Sequence, residues 1–287
     1  MTAAEPLRLR PGILMKMNNI TFIGGGNMAS AIIGGLMRHH FDAKLLCAVE
    51  VIPELREQLS RRFGIRSFAS AEQLPLVGEI VVLAVKPQQM RIALKPLMPK
   101  LHHQVVLSIA AGIRIADLSR LLGGYERIIR CMPNTPALIG AGISAAYAAP
   151  AIARDECDAI EEVLKAIGKV IWVENETLLD AVTAVSGSGP AYVFYFIEAL
   201  RDAAKELGLS DSAANTLAIE TFAGAAKLAA QDRDDVAILR ERVTSQGGTT
   251  EAALKSMAQD HVKEAIIKGV KAAHERSREL GVELGKD

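Results

Sequence analysis

Short apolar runs alternate with amphipathic stretches over residues 20–173. The runs Ile20–Gly24, Leu45–Glu50, Ile80–Val85, Val105–Ile109, Ile128–Met132, Ile143–Tyr147 and Val170–Val173 are rich in β-branched residues and nearly continuous in apolar character. That is the pattern of strands covered on both faces. Helical periodicity lies between them, as at Asn27–Arg38 and Glu54–Phe63. Strand, helix, strand in regular order predicts parallel βαβ units with right-handed crossovers. Gly64 and Gly168 stand where left-handed helix caps are wanted. After Trp172 the pattern changes. From residue 175 onward no run reads as a strand, and Pro190–Leu207, Ser212–Ala230, Thr249–Met257 and His261–Leu280 read as helices. The predicted architecture is α/β: a doubly wound, mostly parallel sheet over 18–174, then an all-α domain over 175–287. Residues 1–17 read as an extension, with Met15 or Met17 as alternative starts of the structured part.

Ser212–Ala230 is apolar or small on nearly every face, and such a helix wants cover on most sides. Two readings fit: helix-mediated oligomerisation, or a central helix covered within one subunit. Composition narrows the class. Half the residues are hydrophobic and 23% are charged, so a core forms and disorder is excluded. Lys+Arg and Asp+Glu both total 33, which argues against a general binder of nucleic acid or membrane surfaces. Cys47, Cys131 and Cys157 form no CxxC pair. A disulfide framework and a zinc site are not expected, and the thiols suit the cytoplasm. The adjacent pairs His39-His40 and His102-His103 diverge on a helix and suggest no metal site. Cys131 reads as core, and Asp232, Asp234 and Asp235 as an exposed turn.

The first strand runs into Gly24-Gly25-Gly26-Asn27-Met28-Ala29, a G-x-G-x-x-A pattern followed at once by a helix. Gly24 permits a tight turn, Gly26 lets a pyrophosphate approach the backbone, and Ala29 lets helix and strand pack closely. The helix start then offers free N–H groups to phosphate. Placed between strand and helix, this loop predicts a Rossmann-type NAD(P) site. Glu50 closes the second strand, where a carboxylate accepts from a ribose 2′-OH and disfavours a 2′-phosphate. A solvated strand-end Glu is the alternative, and Arg56 keeps NADP open. Ala84, Val85, Lys86 and Pro87 follow another strand end, where doubly wound sheets bind ligands. Lys86 there either touches the cofactor or starts a helix.

Three further segments complete a recognisable set: Arg130-Cys131-Met132-Pro133-Asn134-Thr135-Pro136, Asp180 through Tyr192 with Ser186-Gly187-Ser188-Gly189-Pro190 at its centre, and Val243 through Thr250 with Ser245-Gln246-Gly247-Gly248-Thr249-Thr250. With the glycine loop and Ala84-Val85-Lys86-Pro87, the chain from about Lys16 onward closely resembles pyrroline-5-carboxylate reductases. Many members carry Pro at the position of Gln246. The Glu50 region lacks the small or basic residues common in NADP-preferring members. The resemblance implies reduction of 1-pyrroline-5-carboxylate to L-proline by NAD(P)H, the last step of proline biosynthesis. It implies a homodimer through the C-terminal helices, often assembled into rings. It also implies that Ser245, Gly247, Gly248, Thr249 and Thr250 hold the substrate carboxylate, that Thr250 hydrogen-bonds the ring nitrogen, and that Glu176 lies near the substrate or its waters.

The loop chemistry fits. Gly247 and Gly248 would expose N–H groups, and a helix beginning near Thr249 would point its positive end at them. An ordinary capped loop remains the alternative from pattern alone. Asn134 and Ser186 are candidates for the cofactor, each with a structural turn as its other reading. Two rival functions share part of this pattern. A β-hydroxyacid dehydrogenase would need a Lys early on the helix PAYVFYFIEALRDAAKELG, whose first half has none. A non-catalytic dinucleotide sensor would not need the Ser245–Thr250 loop.

Overall fold

The apolar runs become strands of one sheet. The computed structural model describes residues 19–285, so the extension expected at 1–17 lies outside the described residues. Among them, β1 (Ile20–Ile23), β2 (Leu46–Val49), β3 (Arg66–Phe68), β4 (Ile80–Leu83), β5 (Val105–Ser108), β6 (Ile128–Met132), β7 (Gly142–Ala148) and β8 (Gly168–Trp172) form a single sheet. Its order is β3-β2-β1-β4-β5-β6-β7-β8. All pairings are parallel except β6 with β7. The first six strands thus follow the doubly wound dinucleotide order 3-2-1-4-5-6, with its switch point between β1 and β4.

Every residue of β1, β2, β4 and β5 is buried, because helices cover both faces. The helices of this part are α1 (Asn27–Arg38), α2 (Pro53–Phe63), α3 (Met90–Leu94), α4 (Ile115–Leu121), α5 (Arg154–Lys165) and α6 (Leu178–Val182). Ile20, Phe22, Leu46 and Val82 pack with Ile32 and Leu36 of α1 on one face. Ile23, Val49, Val81 and Leu83 pack with Met90, Leu94 and Leu118 on the other. The alternation along β1 is the period of two expected of a strand.

The sequence pattern misses β3, whose three residues form a half-exposed edge with one charge. Gly64 caps α2 as expected. Gly168 does not cap a helix: it opens β8, where a Cβ would lie 1.9 Å from the Gly142 carbonyl oxygen.

The remaining helices are α7 (Gly189–Glu206), α8 (Asp211–Gln231), α9 (Val236–Arg242), α10 (Thr249–Gln259) and α11 (Val262–Gly285), with a π-turn at Thr183–Gly187. Among the described residues no helix is long and apolar enough to cross a membrane. α9 is an addition to the sequence reading. The acidic run before it does more than turn: Asp235 accepts from Ala237 N at 2.8 Å as its cap, and Asp234 pairs with Arg242.

The chain divides into two compact units. One holds the sheet through Gly187 together with the helix residues from His274 onward; the other is Ser188–Ala273. The change of pattern expected at 174/175 follows the last strand, but segment 175–187 and the end of α11 belong with the sheet. In the second unit, Phe196 of α7 stacks on Phe222 of α8 at 6.5 Å. Its buried residues, among those described, are Ala214 and Ala218. Leu217 is 53% exposed and Leu228 54%, so α8 is not covered within one subunit.

Candidate active site

β1 delivers the chain to a turn that only glycine fits. Gly24 has φ +100°, and a Cβ there would lie 2.7 Å from the Ala84 carbonyl oxygen. Its N–H donates to Val49 O at 2.7 Å. At Gly25 a Cβ would lie 2.6 Å from Leu59 Cδ1. Gly26 is different: nothing lies within 4 Å of its absent Cβ. Gly26 is also the N-cap of α1, with no side-chain cap and no acidic residue in the first turn. The N–H groups that open α1 at Asn27 and Met28 have no intrahelical acceptor. They face open approach with the positive end of the helix dipole behind them, a fit for pyrophosphate. Ala29 is fully buried, which lets α1 lie close to the sheet.

Glu50 stands at the end of β2, 8% exposed. Its carboxylate accepts from Gly25 N at 2.7 Å and from Ile52 N at 2.9 Å. It therefore braces the glycine loop from the side where a ribose would lie. Arg56 donates to the carbonyls of Glu50 and Val51 at 2.7 and 2.9 Å, which holds its guanidinium at the same strand end. Across the switch point, Ala84 N donates to Ile23 O at 2.8 Å. Val85 Cγ1 lies 3.0 Å from the absent Cβ of Gly24, so the two loops touch. Lys86 is exposed and leads into the 3-10 turn Pro87–Gln89.

Asn134 follows β6, and its side-chain oxygen accepts from Ile143 N at 2.9 Å, tying the turn to β7. Ser186 lies in the π-turn, its hydroxyl donating to Val182 O at 3.0 Å. A Cβ on the next residue, Gly187, would lie 2.5 Å from Met132 Cε. Ser186 is thereby set beside the end of β6, from which Asn134 also emerges. Glu176 belongs to the sheet unit: its Oε1 accepts from Arg130 Nη1 at 3.1 Å and from Ile115 N at 2.8 Å. Arg130 is 4% exposed in β6. A charge inside an apolar strand demands a partner, and that demand is the sequence signal that could have paired it with Glu176.

In the second unit, Ser245–Gly248 leads into α10. Gly247 takes φ +72°. The expectation of two exposed glycine N–H groups needs correction. Gly247 N donates to Glu251 Oε2 at 2.5 Å, and Gly248 N to Ser245 O at 3.0 Å. The carboxylate of Glu251, at the third helical position, reaches back past the N-cap to the residue before it, so it fills the donor that Gly247 would otherwise offer. Gly248 is the N-cap of α10 and has no side-chain cap. The donors left to a ligand are the N–H groups that open the helix at Thr249 and Thr250, with the hydroxyls of Ser245 and Thr250 beside them in sequence.

The structure thus brings Gly24–Ala29, Glu50 and Ala84–Pro87 together at the β1/β4 switch, and Asn134 and Ser186 together at the end of β6. Ser245–Thr250 forms its own loop in the helical unit. What the sequence reading did not show are the side-chain pairings of Arg130 with Glu176, Glu251 with Gly247 and Ser277 with Asp180.

The model for pyrroline-5-carboxylate reductase dimerisation matches residues 176–280. The model for coenzyme F420-dependent NADP oxidoreductases matches residues 19–112. A pyrroline-5-carboxylate reductase of Pseudomonas aeruginosa is 41% identical over 273 residues, 95% of this chain and all of that one. A solved pyrroline-5-carboxylate reductase from Coxiella burnetii superposes with a TM-score of 0.87 at 38% identity, covering 92% of this chain and 98% of its own. The Plasmodium falciparum pyrroline carboxylate reductase, solved with NADP bound, does so with 0.83 at 28% identity, covering 92% and 99%. With this end-to-end match, the chain belongs to the pyrroline-5-carboxylate reductase family.

Proposed function

We propose that this chain reduces 1-pyrroline-5-carboxylate to L-proline in the cytoplasm, with Gly24–Ala29 holding the pyrophosphate of NADPH or NADH. NAD(P)H, when bound, supplies the hydride. Glu50 lines the adenosine ribose side, while Ala84, Val85, Lys86 and Pro87, past the end of β4, fall near the nicotinamide half. Asn134 and Ser186 border the nicotinamide side.

The substrate is a small cyclic imine with one carboxylate. Its reduction requires an anion clamp, an oriented nitrogen and little water. The N–H groups of Thr249 and Thr250, at the positive end of α10, clamp the carboxylate together with Ser245. Gly247 and Gly248 keep side chains out of its way. The Thr250 hydroxyl orients the ring nitrogen. A threonine hydroxyl is too weak an acid to deliver a proton outright, so the already protonated iminium carries the charge that makes its carbon electrophilic. Positioning then does most of the work, up to about 7–11 kcal/mol in well-oriented reactions. Glu176 acts at one remove, through Arg130 and the start of α4. The observation that carries this reading is an uncapped helix start behind each of two glycine loops, at Gly26 and at Gly248, in a chain matched end to end by its family.

The helical unit buries almost nothing by itself. We infer that a second copy covers α7 and α8 to make a homodimer, with rings of dimers as a further level. The test is direct: purified protein, NADPH or NADH, and the cyclic imine, with absorbance of the reduced nicotinamide followed over time. Imine-dependent oxidation is expected. Its absence with both cofactors overturns the assignment.

A further inference from the structure

Ser277 Oγ, near the end of α11, donates to Asp180 Oδ1 at 2.7 Å. Both residues are 5% exposed. A carboxylate so far from water needs hydrogen-bond donors, and Ser277 brings one from 97 positions further along the chain. Asp180 lies on α6, directly before the π-turn Thr183–Gly187 that carries Ser186. Single π-turns inside helices are rare and gather at functional sites.

Segment 176–187 is held at three places. Glu176 fastens its start to Arg130 of β6 and to the N–H of Ile115. Gly187 fastens its end, with no room for a side chain against Met132. Asp180 fastens its middle, and the partner there is the last helix. The same helix covers the loop between β5 and α4. Leu284 Cδ1 lies 2.9 Å from the absent Cβ of Gly112, the Gly112 carbonyl oxygen lies 3.3 Å from that of Gly281, and Arg120 Nη2 donates to Gly285 O at 2.5 Å. The end of α11 therefore clamps two segments that border the carboxyl ends of β5 and β6, where a doubly wound sheet seats the second half of its dinucleotide.

We propose that Asp180 and Ser277 are a positioning pair: their buried hydrogen bond fixes the π-turn at the end of β6 and so sets how the nicotinamide half of the cofactor is seated. Neither residue touches the cofactor; both act through the backbone that presents Ser186. The proposal rests on the reductase reading only for its turnover readout, since cofactor binding is measured without the imine.

The experiment compares Ser277→Ala, Ser277→Thr, Asp180→Ala and Asp180→Asn with the parent. Measurements are NADPH affinity by nucleotide fluorescence, kcat, KM for each substrate, and the isotope effect with 4-deuterated NADPH. Ser277→Ala and Asp180→Ala are expected to lower kcat about tenfold, the scale of a small misplacement of the reacting groups. They raise the NADPH dissociation constant severalfold, leave KM for the imine within about twofold and unmask the isotope effect. Ser277→Thr and Asp180→Asn, which keep the hydroxyl and an acceptor oxygen, restore most of the loss. A purely structural pair would lower Tm and leave the kinetic split untouched, which overturns the proposal. So would equal losses towards both substrates. If the alanine variants do not fold, Ser277→Thr and Asp180→Asn decide: cofactor affinity that differs from the parent by more than about twofold in either overturns it. If the parent turns over no imine, the reductase reading fails, while the NADPH affinity ratios still decide the pair.

Discussion

Replacing Glu50 with alanine takes the acceptor away from two backbone N–H groups at once, Gly25 at 2.7 Å and Ile52 at 2.9 Å. A hydrogen bond to a charged acceptor contributes about 1.5–3 kcal/mol. The two share one carboxylate and do not add in full. Ile52 is 47% exposed, so its N–H recovers water, whereas the Gly25 N–H is left stranded beneath the loop. The net loss is about 3 kcal/mol, which lowers Tm by roughly 6–12 °C at the usual sensitivity of a unit this size. The glycine loop loses its brace, so both reduced cofactors bind more weakly. The removed charge sits at the end of β2, where it repels a 2′-phosphate. NADPH should therefore lose less affinity than NADH, about tenfold for NADH and about threefold for NADPH, a differential below 1 kcal/mol. Thermal unfolding with parallel fluorescence titrations of the two cofactors measures both effects. Glu50→Gln, which keeps one acceptor oxygen without charge, should recover part of the stability and keep the shift towards NADPH. An unchanged Tm with unchanged affinities, or a larger loss for NADPH than for NADH, refutes the brace.

Thr250→Ala is expected to lower kcat/KM about tenfold to a hundredfold, the worth of one hydrogen bond to a charged nitrogen, and parent-like kinetics would remove Thr250 from the site. Leu217→Glu, on the exposed face of α8, should yield monomers in size-exclusion chromatography with light scattering; an intact oligomer would place the interface elsewhere. Lys165 beside Glu161 holds its carboxyl below the usual 4.5, and the Trp172 indole N–H adds to this against the opposing effect of burial. A lowered folded pKa means the pair stabilises at higher pH and loses its contribution as pH falls through that value. Emission of Trp172, the single tryptophan, should accordingly change with a midpoint below 4.5, and Glu161→Gln should abolish the step. Burial pushes the Cys131 thiol up to about 12, so native protein at mildly alkaline pH should be alkylated at half-buried Cys157 and spared at Cys131, as read by mass spectrometry.

The local geometry of the candidate loops was legible because their parts are close in sequence. The glycine loop, its strand and α1 occupy nineteen consecutive positions, from Ile20 to Arg38, and both the turn and the helix start follow from residue type and order. The helix after Gly248 was legible for the same reason. What the loop donors bind was not: Glu251 reaching back to Gly247 depends on a side-chain rotamer, and periodicity carries no rotamer. Glu50 read as a ligand for ribose or a solvated end, and its contacts with the Gly25 and Ile52 N–H groups, made across 25 positions in one case, left no trace in the pattern. β3 was missed because an edge strand of three residues buries too little to leave a pattern.

By itself the sequence determined the two-part plan, the strand and helix periods, and the family to which the motifs belong, since each is written in short-range spacing that sterics and burial read directly. Only the tertiary structure decided the antiparallel β7, the Arg130–Glu176 pair and the joining of Asp180 to Ser277. Those contacts unite residues up to 97 positions apart, and what selects them is the need to satisfy buried polar groups once the sheet and helices have closed around them.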